Sequence, residues 1–182
     1  MSVVVVGDSI IKRVDRVICR ADRLNRTVFC LPGARVRHVV DRVDRLLGGA
    51  GDDPAVMVHI GTNDKVRGRW KDLKNDFREL GSKLKKRSSK VVFSEILPVP
   101  RDRQKRIREF NLWLREWCRE QGFGFVSHDS SNWSRKELKN KKGKKPLWYS
   151  TEVAKIVNNR LTASMNIFVQ SLQKERDLRR KH

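Results

Sequence analysis

A chain of 182 residues is long enough for one domain with a sizeable core, and none of its apolar runs is long enough to cross a bilayer or serve as a secretory signal. Its 42 Lys and Arg against 21 Asp and Glu leave a formal net charge of +21. That excess is spread along the chain and invites polyanions such as RNA, DNA or anionic lipid. The three cysteines, Cys19, Cys30 and Cys118, are odd in number and far apart, which argues against a disulfide framework. No Cys/His spacing reads as a zinc site, so buried thiols in a reducing compartment, cytoplasm or nucleus, are expected.

The first element is a strand over residues 2–7, a run of valines ending in Gly7-Asp8-Ser9. A helix is expected over 10–24, with Ile10, Ile11, Val14, Val17, Ile18, Ala21 and Leu24 on its apolar stripe. Ser9 thus stands where a buried strand turns into a helix, with its hydroxyl at the carboxyl edge of a sheet. Taken alone it reads as a helix cap. Residues 26–31 form a second strand stopped by Pro32-Gly33, and 34–47 a helix with Val36, Val39, Val40, Val43, Leu46 and Leu47 inward. A glycine-rich loop leads to a strand from Ala55 to Ile60, which ends in Gly61-Thr62-Asn63-Asp64. A helix from Trp70 to Lys86, a strand from Lys90 to Glu95, a helix over 104–121 and a short strand from Phe123 to Val126 complete the pattern.

Strands alternating with helices imply βαβ crossovers and a parallel sheet, hence an α/β fold of three layers, α/β/α, around five strands. Every strand-to-helix turn then falls on the carboxyl edge, where open α/β sheets bind ligands. Ser9, Gly33 and Asn63 are all at such turns. After Asp129 the character changes. The expected organisation is a first domain over 1–138, a lysine-rich loop over 139–149 and an amphipathic basic helix over 150–182, striped by Val153, Ile156, Val157, Leu161, Met165, Phe168 and Leu172. Self-packing is the default for that stripe, with a membrane surface or a partner helix as alternatives. Trp133 and Trp148 flank the lysines and offer an aromatic–basic surface for bases or lipid headgroups.

Gly7-Asp8-Ser9 after the first strand, Gly33 after the second and Gly61-Thr62-Asn63-Asp64 after the third, within a five-strand alternating layout, resemble the SGNH (GDSL-type) hydrolases. Their fold is flavodoxin-like. Within that family the basic flavour looks most like the esterase domains of the first open reading frame of vertebrate non-LTR retrotransposons. The resemblance implies that Ser9 attacks an ester carbonyl. The backbone N–H groups of Ser9 and Gly33 and the side-chain amide of Asn63 would form the oxyanion hole, with no metal and no cofactor. Preorganised neutral donors of this kind stabilise a tetrahedral oxyanion. Asn63 read by itself is a turn residue, and Asp8, Thr62 and Asp64 read as turn or supporting groups.

The pattern breaks at the base. The family carries an Asp-x-x-His element after the fifth strand, whose His activates the serine. Here Asp129 is followed three residues on by Asn132, and the stretch from Leu138 to Lys145 holds neither Asp nor His. Of the four histidines, His38 belongs to the second helix, His59 to the third strand and His182 to the end of the chain; His128, after the fifth strand, is the weak candidate for the base. Three readings stand. One is a serine esterase acting on small ester or lipid substrates, impaired by the missing base. Another is a non-catalytic binder of nucleic acid or anionic membrane. The third is a rearranged product in which residues after about Leu138 replace an original end. Substrate and oligomeric state are not legible.

Overall fold

The computed structural model describes residues 2–12, 24–64, 69–97 and 104–128, together with scattered positions between 163 and 180. Five parallel strands are present: β1 (Val3–Gly7), β2 (Arg26–Cys30), β3 (Ala55–His59), β4 (Lys90–Ser94) and β5 (Gly124–Val126). Their spatial order is β2-β1-β3-β4-β5, the doubly wound order whose direction of growth reverses between β1 and β3. The helices are α1 (Val36–Val40), α2 (Val43–Leu47), α3 (Trp70–Lys85) and α4 (Gln104–Gln121), and a 3-10 turn covers Ser9–Ile11.

β1 and β3 are buried along their whole length, as central strands with helices on both faces must be; the valine run is the sequence's mark of that position. On one face Val4, Val6, Val56, Val58, Val91 and Phe93 pack against the inward residues of α1, α2, α3 and α4. Val3, Val5, Met57 and Val92 on the opposite face are also buried, so the fold is the expected three-layer α/β/α arrangement. Phe77 is fully buried, with its ring 5.9 Å from Phe93, 5.6 Å from Phe110 and 6.4 Å from Trp117. Burial of a ring this size stabilises by about 1.5–3 kcal/mol.

Three local expectations change. The helix expected over 34–47 is two helices, because the Arg42 N–H donates to Val39 O, three residues back, at 3.0 Å. That single tightened turn keeps Val36, Val39, Val40, Val43, Leu46 and Leu47 all buried. Leu24, placed on an apolar stripe, is 96% exposed beside the start of β2. Cys30 is only half-buried, with its thiol donating to Asp8 O at 3.4 Å, whereas Cys118 is buried. Burial pushes the Cys118 thiol pKa up to about 12, so it stays protonated and inert.

Most of the helix expected over 10–24 lies outside the described residues, and so does Cys19. The lysine-rich loop at 139–149, Trp133, Trp148, Asn132 and the stripe from Val153 to Leu172 do too. Of the segment 150–182, Ala163, Ile167, Gln170, Lys174, Asp177 and Leu178 are helical and exposed. Among the described residues no helix is long and apolar enough to cross a membrane.

Candidate active site

The turn after β1 is made by Asp8, whose carboxylate accepts from the Ile10 N–H at 3.0 Å and caps the 3-10 turn. Asp8 is buried, while Ser9 next to it is exposed. The Ser9 hydroxyl makes no hydrogen bond to any described residue. The turn after β2 places Gly33 at φ +71°, a conformation that glycine adopts without the steric cost a Cβ brings.

The loop after β3 joins these two turns. Asn63 Nδ2 donates to Ala34 O at 3.0 Å and makes a longer contact of 3.5 Å with Asp8 Oδ2. Its amide therefore bridges the neighbour of Gly33 and the neighbour of Ser9. Asp64 accepts from the Val36 N–H at 3.1 Å and so fixes the start of α1. Desolvation raises the Asp64 carboxyl to about 6, against the lowering effect of the Val36 hydrogen bond. The loops after β1, β2 and β3 thus meet at the reversal point of the sheet, and Ser9, Gly33 and Asn63 are brought to one rim.

The described histidines make their hydrogen bonds elsewhere. His38 is exposed, and its Nδ1 accepts from the Arg35 N–H at 3.1 Å at the start of α1. His59 and His128 meet in a buried cluster that sequence reasoning missed. Ser94, at the end of β4, has its Oγ 2.7 Å from His59 Nδ1 and 2.6 Å from His128 Nε2. The two rings lie edge to face at 5.8 Å. Glu95 secures the segment after β5, accepting from the His128 N–H at 2.7 Å and the Ser127 hydroxyl at 3.2 Å. Ser94 and His59 are each 1% exposed and His128 is 5% exposed. A serine bonded to histidine is therefore present, but no substrate carbonyl can reach it. The sequence signal was the parallel register: polar residues ending β3 and β4 and following β5 must become neighbours.

The sequence profile of the GDSL-like Lipase/Acylhydrolase family matches residues 5–152. The chain belongs to that family. The fold is similar to a GDSL-like lipase from Bacteroides thetaiotaomicron, with a TM-score of 0.71 at 15% identity over 94% of this chain and 88% of that one. It is also similar to the psychrotrophic esterase EstA from Pseudoalteromonas, with a TM-score of 0.67 at 13% identity over 93% and 98%. No curated protein sequence matches the chain. The expected nearer affinity to retrotransposon esterase domains is corrected by these comparisons. The esterase domain of the zebrafish ZfL2-1 first-open-reading-frame protein shares 30% identity over 92% of this chain and 99% of that one, yet reaches a TM-score of only 0.40. The fold match lies with the bacterial GDSL lipases. The basic flavour behind that expectation is a property of solvated side chains, which do not determine how the strands and helices pack.

Proposed function

We propose that the rim of Ser9, Gly33 and Asn63 is the cradle of a serine acyl-ester hydrolase whose base is missing, so that hydrolysis is weak or absent. The observation that carries this reading is the Asn63 amide held between the loops of Ser9 and Gly33, with Ser9 open to solvent. One Asn63 proton is committed to Ala34 O. The other, on the long contact to Asp8, is the one available to an oxyanion. Ser9 attacks an ester of a small acid or a lipid, the alcohol departs with the serine proton to leave an acyl-serine, and water then releases the free acid and restores the hydroxyl. His128 is assigned to the packing of the β4 and β5 ends rather than to Ser9, because its Nε2 is held by Ser94 and its N–H by Glu95.

The test is reaction with a fluorophosphonate, followed by mapping of the adduct. Slow labelling at Ser9, lost in Ser9→Ala, is expected. No adduct at Ser9 at any reagent concentration removes the cradle reading; fast labelling with steady ester turnover removes the impairment. A second reading, attraction to polyanions, is favoured by the net charge of +21. It predicts RNA binding that weakens steeply with salt, with a slope of about −0.7 per neutralised phosphate on a single strand.

A further inference from the structure

Away from the Ser9 rim, the outer seam between α3 and α4 concentrates rings and cations. Trp70 and Trp113 are half-buried there, and Phe110 lies between them with ring centroids 5.2 Å from each. Trp113 is stacked on the buried Trp117 at 5.7 Å, with planes 13° apart. Lys74 and Arg78 lie over the Trp113 ring at 5.1 and 5.3 Å, and Lys85 over Phe123 at 5.0 Å. None of Lys74, Arg78 and Arg106 has an ion-pair partner among the described residues. Beside this row a cavity of about 190 Å³ is lined by Trp70, Lys74, Arg106, Glu109 and Phe110.

We infer that this seam docks single-stranded nucleic acid, one base entering the Trp70–Phe110 cavity while Lys74, Arg78 and Arg106 hold the flanking phosphates. The inference rests on the polyanion reading and gives it a location. The cavity has room for one ring, and the half-buried indole of Trp70, backed by the buried Phe110, is the face on which a base stacks, whatever its sequence. Among the described residues no carboxylate competes for these cations, although Arg78 also donates to Asn75 Oδ1 at 2.9 Å, so each can take a phosphate with release of counterions from the strand. Glu109 gives the cavity an acceptor, which suits the exocyclic amine of cytosine and opposes the O4 of uracil. The concave shape favours a base over a bilayer. Membrane docking needs apolar side chains that protrude, and the exposed Leu112 belongs to another side of α4.

The experiment measures binding of labelled oligocytidine RNA to the full chain across a salt series. Lys74→Gln, Arg78→Gln and Arg106→Gln together are compared with a control of equal net charge, Arg42→Gln, Arg45→Gln and Arg115→Gln. The seam triple is expected to reduce the salt slope by about 2, and the control to leave it within half that change. Trp70→Ala, checked for folding by its melting transition, is expected to weaken binding about 5- to 150-fold; Trp70→Phe restores most of it. Oligouridine is expected to bind less tightly than oligocytidine, and Glu109→Gln to narrow that gap. Equal losses in seam and control triples overturn the seam while leaving the polyanion reading intact. Absence of RNA binding by the unaltered chain at low salt overturns both. Binding to phosphatidylserine vesicles without RNA binding overturns the seam in favour of a membrane surface.

Discussion

Two serines stand at the carboxyl edge of the same sheet, in opposite circumstances. Ser9 is exposed, beside a bridging amide, and makes no hydrogen bond to a described histidine. Ser94 is within 2.7 Å of two imidazoles and is sealed from solvent. Nucleophilic catalysis needs access and proton removal at one hydroxyl, because an unassisted serine is a weak nucleophile at neutral pH. Among the described residues the two properties fall at different serines, access at Ser9 and a histidine partner at Ser94. A hydrogen bond between serine and histidine is therefore poor evidence of a nucleophile until burial has been considered.

The largest expected effect tests the open half of that contrast. Added imidazole supplies a base from solution and should accelerate fluorophosphonate labelling of Ser9; a well-positioned base contributes about 10²–10⁴-fold, and free imidazole should recover the lower part of that range. Asn63→Ala should slow the residual labelling by about 10²–10³-fold, the usual loss for one oxyanion donor. If neither imidazole nor Asn63→Ala changes the labelling rate, the rim is not a cradle and the two serines differ only in burial.

The layers and turn positions were legible because they follow from periodicity, whereas the strand order was implied only by the flavodoxin-like fold of the family resembled. The valine run had to be a central strand, and Gly7-Asp8-Ser9 and Gly61-Thr62-Asn63-Asp64 had to lie at one edge. The Asn63 bridge was not legible, since nothing local shows that its amide reaches Ala34 and Asp8. Nor was the His59–Ser94–His128 cluster. Each member looks ordinary in its own strand, and only the register of β3, β4 and β5 assembles them. The break between α1 and α2 escaped for a related reason: one hydrogen bond shifting to three-residue spacing leaves the apolar pattern unchanged.

Asp64 sharpens the comparison through pH, because it tests how the rim itself is held. Its carboxyl titrates near 3.8 in the unfolded chain and at about 6 in the folded one. Between those values the folded state holds more protons, so Asp64 stabilises the fold as pH falls through 6 toward 4. The same group opposes folding above 6, by an order of about 3 kcal/mol. Asp64→Asn keeps an acceptor for the Val36 N–H and removes the charge. Its denaturant midpoint should therefore lie above that of the unaltered chain at pH 7 and converge with it near pH 4. A constant difference across that range would mean that the Val36 hydrogen bond, not desolvation of the charge, governs Asp64.

The smallest effect belongs to the sealed serine, and it is the most discriminating. Ser94 has one hydroxyl proton and two imidazole nitrogens within 2.7 Å. Glu95 O, 3.3 Å from the hydroxyl, is a third partner for that one proton, so Ser94 must accept from at least one of the two imidazoles. Ser94→Ala removes both hydrogen bonds from buried nitrogens. The expected cost is about 1–3 kcal/mol of folding stability, read from denaturant melts. Ser9 labelling in the folded fraction should stay unchanged. If labelling instead falls with Ser94→Ala while the fold persists, the histidine pair communicates with the rim. The two serines would then be parts of one proton network rather than neighbours on one sheet edge.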